Sequence, residues 1–171
     1  MAIDRDNSPY RRGNHYEQMP LPMVREHCID VDAGAVQLVI ESRRLTNAII
    51  AESYPDQVPT GTAFNDYGAT LHVVGSGDGL EYLRFDCFEQ EPHYHYLHHA
   101  AGGNTVVRID ELAVGDPIGF SLSCVEYHLP DMLGNCGVPE LAEQVKSQLG
   151  DLHRAMPEAR DLMLRAQQLI S

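Results

Sequence analysis

Apolar and polar residues alternate along four consecutive runs in the middle of the chain: GATLHVVG, LEYLRFDCFE, HYHYLHHA and NTVVRID. Period-two alternation is the mark of strands with one buried face. SGDG separates the first two runs and AGG the last two, and both are turn formers. The runs predict an antiparallel meander of about four strands over residues 68–110. The earlier stretch VDAGAVQLVIESRRLTNAIIAES has apolar residues at 36, 39, 40, 49 and 50, with Asp32 placed as an N-cap. That spacing predicts a helix over about 33–51, although VQLVI also suits a strand. Downstream, Asp116 as N-cap and Pro117 at the first helical position open another helix. Pro130 kinks its last turns, and Gly134 or Gly137 ends it. PELAEQVKSQLGDLHRAM and PEARDLMLRAQQLI read as two further amphipathic helices, each opened by a proline, so helices extend over about 116–170.

The class is therefore α+β, a meander packed against an N-terminal helix and C-terminal helices. Residues 1–22, polar and broken by Pro9, Pro20 and Pro22, read as a flexible arm dispensable for folding. Residues 23–171 form a single domain.

Turn chemistry assigns the sheet faces. A two-residue turn at Gly102–Gly103 sets Tyr96 opposite Ile109. One at Gln90–Glu91 sets Phe85 opposite Tyr96 and Cys87 opposite Tyr94. Both registers gather Leu83, Phe85, Cys87, Tyr94, Tyr96, Val107 and Ile109 on one apolar face, which becomes the core. The opposite face collects His93, His95, His99 and Tyr82, and His72 joins it if Leu71 and Val73 point inward. There His95 lies between Asp86 and Asp110, and Leu97 between Arg84 and Arg108.

Charge narrows the functions. The formal net charge is −13, and residues 21–138 carry nearly all of it, with five Arg against seventeen acids. Such a surface repels a phosphate backbone or an anionic bilayer, so neither nucleic acid nor membrane is an expected partner. No apolar run approaches the roughly 20 residues needed to span a bilayer. The first residues carry no secretory signal, and a cytoplasmic protein is expected. Lys146 is the single lysine, which leaves little room for Schiff-base chemistry. Cys28, Cys87, Cys124 and Cys136 include no C-x-x-C pair, which excludes a zinc knuckle or a thioredoxin-like motif and predicts buried reduced thiols.

The stretch EPHYHYLHHA concentrates the chemistry. Residues two apart on a strand are roughly 6.5 Å apart, so His93 and His95 can grip one ion, and a third ligand comes from a strand roughly 4.8 Å away. Asp86 and Asp110 are the candidates. Two imidazoles and a carboxylate with open positions suit a divalent transition metal, zinc or iron. Arg84 or Arg108 would then hold a substrate carboxylate, and His72 would serve as base. The plain alternative is a solvated face of alternating pairs, Arg84 and Arg108 against Asp86 and Asp110.

H-x-H followed by GDPIG is similar to the cupin motifs. However, His99 stands at the glutamate position, no histidine follows Gly119, and three closing helices do not suit that barrel. GATLHVV, EYLRFDCFEQEPHYHY and GDPIGF resemble instead an uncharacterised bacterial family of small acidic proteins, a domain of unknown function, over about residues 25–140. That resemblance implies a fold and no activity. Three functions stay open: a metal-binding protein or metal-dependent enzyme; a metal-free small-molecule binder or acid/base enzyme, in which Asp86 or Asp110 orients His95; and a non-catalytic accessory subunit meeting a protein partner. The sequence also allows a homo-oligomer.

Overall fold

One sheet of seven strands, every neighbour antiparallel, organises the chain; the computed structural model describes residues 12–57 and 63–170. Strands β2 (Cys28–Ala33), β3 (Val36–Thr46), β4 (Asn65–Gly75), β5 (Glu81–Phe88), β6 (His93–Leu97) and β7 (Asn104–Arg108) run as a meander. β1 (Asn14–Tyr16) adds to β7, so the order is β1-β7-β6-β5-β4-β3-β2. Helices are α1 (Asn47–Ser53), α2 (Glu111–Val114), α3 (Pro117–Asn135), α4 (Pro139–Ser147) and α5 (Leu149–Ile170). The α+β class is as expected, but the sheet has seven strands rather than about four.

The helix expected over 33–51 is not formed: residues 33–46 lie in the hairpin of β2 and β3, and only 47–51 are helical, at the start of α1. β3 lies inside the sheet and is buried on both faces: Leu38 and Ile40 join the core while Val39 and Glu41 are buried beneath the other side. A strand buried on both faces loses its alternation, and its apolar run imitates a helix. Asp32 does not cap a helix. Its Oδ1 accepts from Gly34 N, and Gly34 turns the chain at a φ of +80° that suits glycine. Helix begins only at Asn47, where the Thr46 hydroxyl accepts from Ile49 N.

α5 packs on β2, β3 and β4, and α3 on β5, so the helices cover one sheet face. Between them and the sheet, Leu38, Leu71, Leu83, Phe85, Leu122 and Met163 are fully buried. Asp116 caps α3 by accepting from Gly119 N, with Pro117 in the first turn. The break between the last two helices falls at Gln148 rather than at Pro157. Pro157 sits on the solvent side of α5, where water can satisfy the carbonyl that its missing N–H leaves free.

Both expected hairpin registers are displaced. Phe85 faces Tyr94 and Leu83 faces Tyr96, while Tyr96 faces Thr105 and Tyr94 faces Val107. The turn between β6 and β7 is a long loop, closed where His98 N donates to Gly103 O. Each displacement is an even number of residues, so the faces survive: Leu83, Phe85, Cys87 and Tyr96 are core, Tyr94 and Val107 pack against it, and Ile109 is buried. The partners on the other face do change. His95 faces Arg84 and Val106, and Asp86 and Arg108 face His93.

The middle of that second face is covered by the chain itself. β1 pairs with β7, and residues 18–24 then cross the sheet as a strap. Arg43 donates to Leu21 O and Pro22 O, Arg84 to Leu21 O, Asn104 to Gln18 O and Tyr54 to Met19 O, while Val24 N donates to Glu41. Residues 14–22 are thus tied to the sheet instead of forming a free arm, whereas residues 1–11 lie outside the described residues. The sequence pattern concealed this because a strap that contributes carbonyls needs no apolar side chains.

Candidate metal centre

Alternation on β5 and β6 turns Asp86, His93 and His95 to the strap side. Each of the three offers one ligand atom, and these atoms lie within 4.8 Å of one another. His95 Nε2 is 3.1 Å and His93 Nε2 3.4 Å from the same oxygen, Asp86 Oδ2. The side chains of Asp86 and His95 are 3% and 9% exposed, and that of His93 21%, so the group opens to solvent at His93.

Each of these residues is oriented by a partner behind it. Thr70 donates to Asp86 Oδ1 at 2.7 Å. His93 Nδ1 is 2.7 Å from the Glu91 carbonyl, and His95 Nδ1 is 2.8 Å from Asn104 Oδ1. A carbonyl and an amide oxygen can only accept, so both imidazoles carry a proton on Nδ1. Burial raises the Asp86 carboxyl, but hydrogen bonds from His93 and His95 outweigh it and hold the group well below its ordinary range. Burial lowers His93, and its hydrogen bond and charge attraction to Asp86 reverse this, leaving it raised.

A second buried group lies on the same face beside this one. His72 Nε2 meets Glu41 Oε2 at 2.8 Å, and His72 Nδ1 meets Glu81 Oε1 at 2.5 Å. Both ring nitrogens therefore donate, and His72 is an imidazolium bridging two carboxylates. Burial lowers this imidazole, yet the two glutamates together raise it above its ordinary value. Arg43 pairs with Glu41, and Arg84 pairs with Glu81 through Nε and Nη2, both at 2.8 Å. Burial raises Glu81, but Arg84 and His72 bring it down to about 2.

The candidate residues thus divide. Asp86, His93 and His95 come together. Asp110 does not join them, because it follows β7 and caps α2 by accepting from Leu112 N. Arg84 and His72 are buried in the second group, and Arg108 is exposed in an ion pair with Glu91. His99 bonds the Glu81 carbonyl instead. Tyr82, expected on this face, is in the core, and Glu81 takes its place. A bulge lies between β4 and β5, where Val73 faces Leu83 but Val74 faces Glu81, so Tyr82 is the extra residue. A bulge re-aims the residues around it, and alternation alone does not reveal it. Glu41, Arg43 and Asn104 were missed as well, the first two because their segment read as helix. All four cysteines are free, and burial pushes their thiols up, Cys28 and Cys124 to about 11 and Cys87 and Cys136 to about 12. None is an activated thiolate.

Fold and site together define an α+β protein with one helix-covered sheet face and one strap-covered face, the latter bearing an Asp/His/His group that could hold a metal ion. The chain belongs to a family described as Domain of unknown function (DUF7700), whose model matches residues 30–160. No curated protein and no solved structure matches it. Among the described residues, no helix is long and apolar enough to cross a membrane.

Proposed function

We propose that this protein binds a divalent transition metal, zinc before iron, through Asp86 Oδ2, His93 Nε2 and His95 Nε2. One observation carries the reading. Both imidazoles commit their Nδ1 proton to an oxygen acceptor, so Nε2 is the nitrogen each ring leaves to a metal or a second proton, and both Nε2 atoms converge on one carboxylate oxygen. Three possible ligand atoms gather around one point, and a divalent cation there would replace the protons by which both imidazoles bond Asp86. Zinc bonds of about 2.0–2.1 Å in a tetrahedron place ligand atoms about 3.3 Å apart, close to the separations of 3.1 and 3.4 Å. The oxygens behind each imidazole and Thr70 behind Asp86 form the orienting shell typical of metal ligands. A bound ion would keep a coordination position on the His93 side, the open edge of the group, where water or an oxygen-bearing ligand could be polarised.

The metal-free reading rests on the same ion pair, with an imidazolium donating to Asp86 in place of the ion. Metal analysis of untagged protein separates the two, followed by titration calorimetry with zinc and iron(II) salts at about pH 7.5, where imidazole is mostly neutral. The expected result is stoichiometric binding that His95→Ala abolishes and His98→Ala leaves intact. Weak millimolar binding, equal in wild type and His95→Ala, would overturn the proposal in favour of the proton.

A further inference from the structure

Asn104 joins two features that are otherwise separate, the histidine group and the strap. Its side chain is buried, with Oδ1 2.8 Å from His95 Nδ1 and Nδ2 donating to Gln18 O at 2.6 Å. An amide has one donating end and one accepting end, and the Gln18 carbonyl can only accept. The strap carbonyl therefore decides which end of Asn104 faces it, and the oxygen is left for His95. That oxygen in turn keeps a proton on Nδ1 and aims Nε2, the nitrogen left to a metal, at Asp86. Without the Gln18 carbonyl the amide is free to turn over and present N–H to Nδ1. The neutral ring would then carry its one proton on Nε2, where it blocks a metal.

Resting on the metal reading above, we infer that Asn104 is a positioning residue coupling strap docking to metal affinity. A docked strap holds His95 in its ligating form, and a bound ion favours the docked strap by the same factor. The coupling is local to the Gln18 end, because Leu21, Pro22 and Met19 are anchored by Arg43, Arg84 and Tyr54, which hold none of the three ligands. Asn104 is also the backbone partner of Tyr16, so strap and β1 meet the site at one residue.

The test uses the full chain, zinc calorimetry and hydrogen exchange of residues 14–22 with and without zinc. In wild type, zinc should slow exchange in this segment. Asn104→Ala removes the acceptor behind His95 and should weaken zinc binding about 10–100-fold, as loss of an orienting partner does. Asn104→Asp keeps an acceptor for Nδ1 but sets a second acceptor against the Gln18 carbonyl. It should leave zinc affinity undiminished while strap exchange speeds up and stops responding to zinc. A merely structural Asn104 would not separate these two readouts, and the near-isosteric Asp variant carries the test if the Ala variant does not fold. If wild type binds zinc but exchange of residues 14–22 is the same with and without it, the coupling is overturned and the metal site stands. If Asn104→Asp retains a zinc-dependent strap, the coupling is likewise overturned. Failure of wild type to bind zinc overturns both.

Discussion

Replacing His72 with leucine removes the bridge between Glu41 and Glu81 while nearly preserving volume. The imidazolium makes two charged hydrogen bonds, at 2.8 and 2.5 Å, with its side chain fully buried. Hydrogen bonds to charged groups contribute about 1.5–3 kcal/mol each, and breaking a buried ion pair by removing one member costs about 3–5 kcal/mol. Here each glutamate keeps an arginine, Arg43 or Arg84, and leucine restores some apolar burial. The expected loss is therefore near the lower bound, about 3 kcal/mol, or roughly 6–12 °C in Tm for a chain of this size. pH sharpens the test. His72 is raised above its ordinary value of 6.5. Its stabilisation is complete below that value and fades as pH rises through the folded value. Glu81 is lowered from 4.5 to about 2. Its share is complete above 4.5 and is lost as acid brings the pH down toward 2. Urea unfolding of wild type and His72→Leu from about pH 4.5 to 9 should show the largest gap at the acid end and a narrowing gap toward the alkaline end. A gap under about 1 kcal/mol at pH 6, or one that widens with rising pH, would refute the bridging imidazolium.

Phe85→Ala should cost about 3–5 kcal/mol in urea unfolding, because Phe85 is fully buried against the helices. Deleting residues 1–22 should lower Tm by many degrees, since Arg43, Arg84 and Asn104 lose the carbonyls of Gln18, Leu21 and Pro22; an unchanged Tm would show that water replaces those acceptors. Zinc affinity, measured calorimetrically, should fall as pH drops, and the fall should begin above the ordinary 6.5 of imidazole because His93 is raised and protons compete early for its Nε2. A pH-independent affinity would argue against imidazole ligands.

Legibility in the sequence followed the physics of each segment. Strands β4 to β7 showed themselves because each has one apolar face, and the even-numbered slip of both hairpins left that face intact. The pairing of His93 and His95 with Asp86 was legible for the same reason, while the choice of Asp110 depended on a register that the long loop before Gly103 displaced. Asp116 and Pro117 marked α3 because caps act locally. β3 was not legible, since burial on both faces erases the alternation that identifies a strand. The network around His72 was hidden twice, by the misread segment carrying Glu41 and by the bulge that brings Glu81 beneath the strap. The strap itself acts through main-chain oxygens, which no pattern of side chains encodes.

β1 has a consequence for self-association. An open sheet ends in strands whose outward N–H and C=O groups can recruit another extended chain. Asn104–Arg108 would be such a margin, rich in β-branched residues, were it not closed by the three residues Asn14–Tyr16. Gly103 makes this closure possible, because a Cβ there would stand 2.1 Å from the Tyr16 carbonyl. Whatever frees the start of the strap also opens a template for intermolecular pairing, so loss of β1 should be read out in solution as assembly as well as in lowered stability.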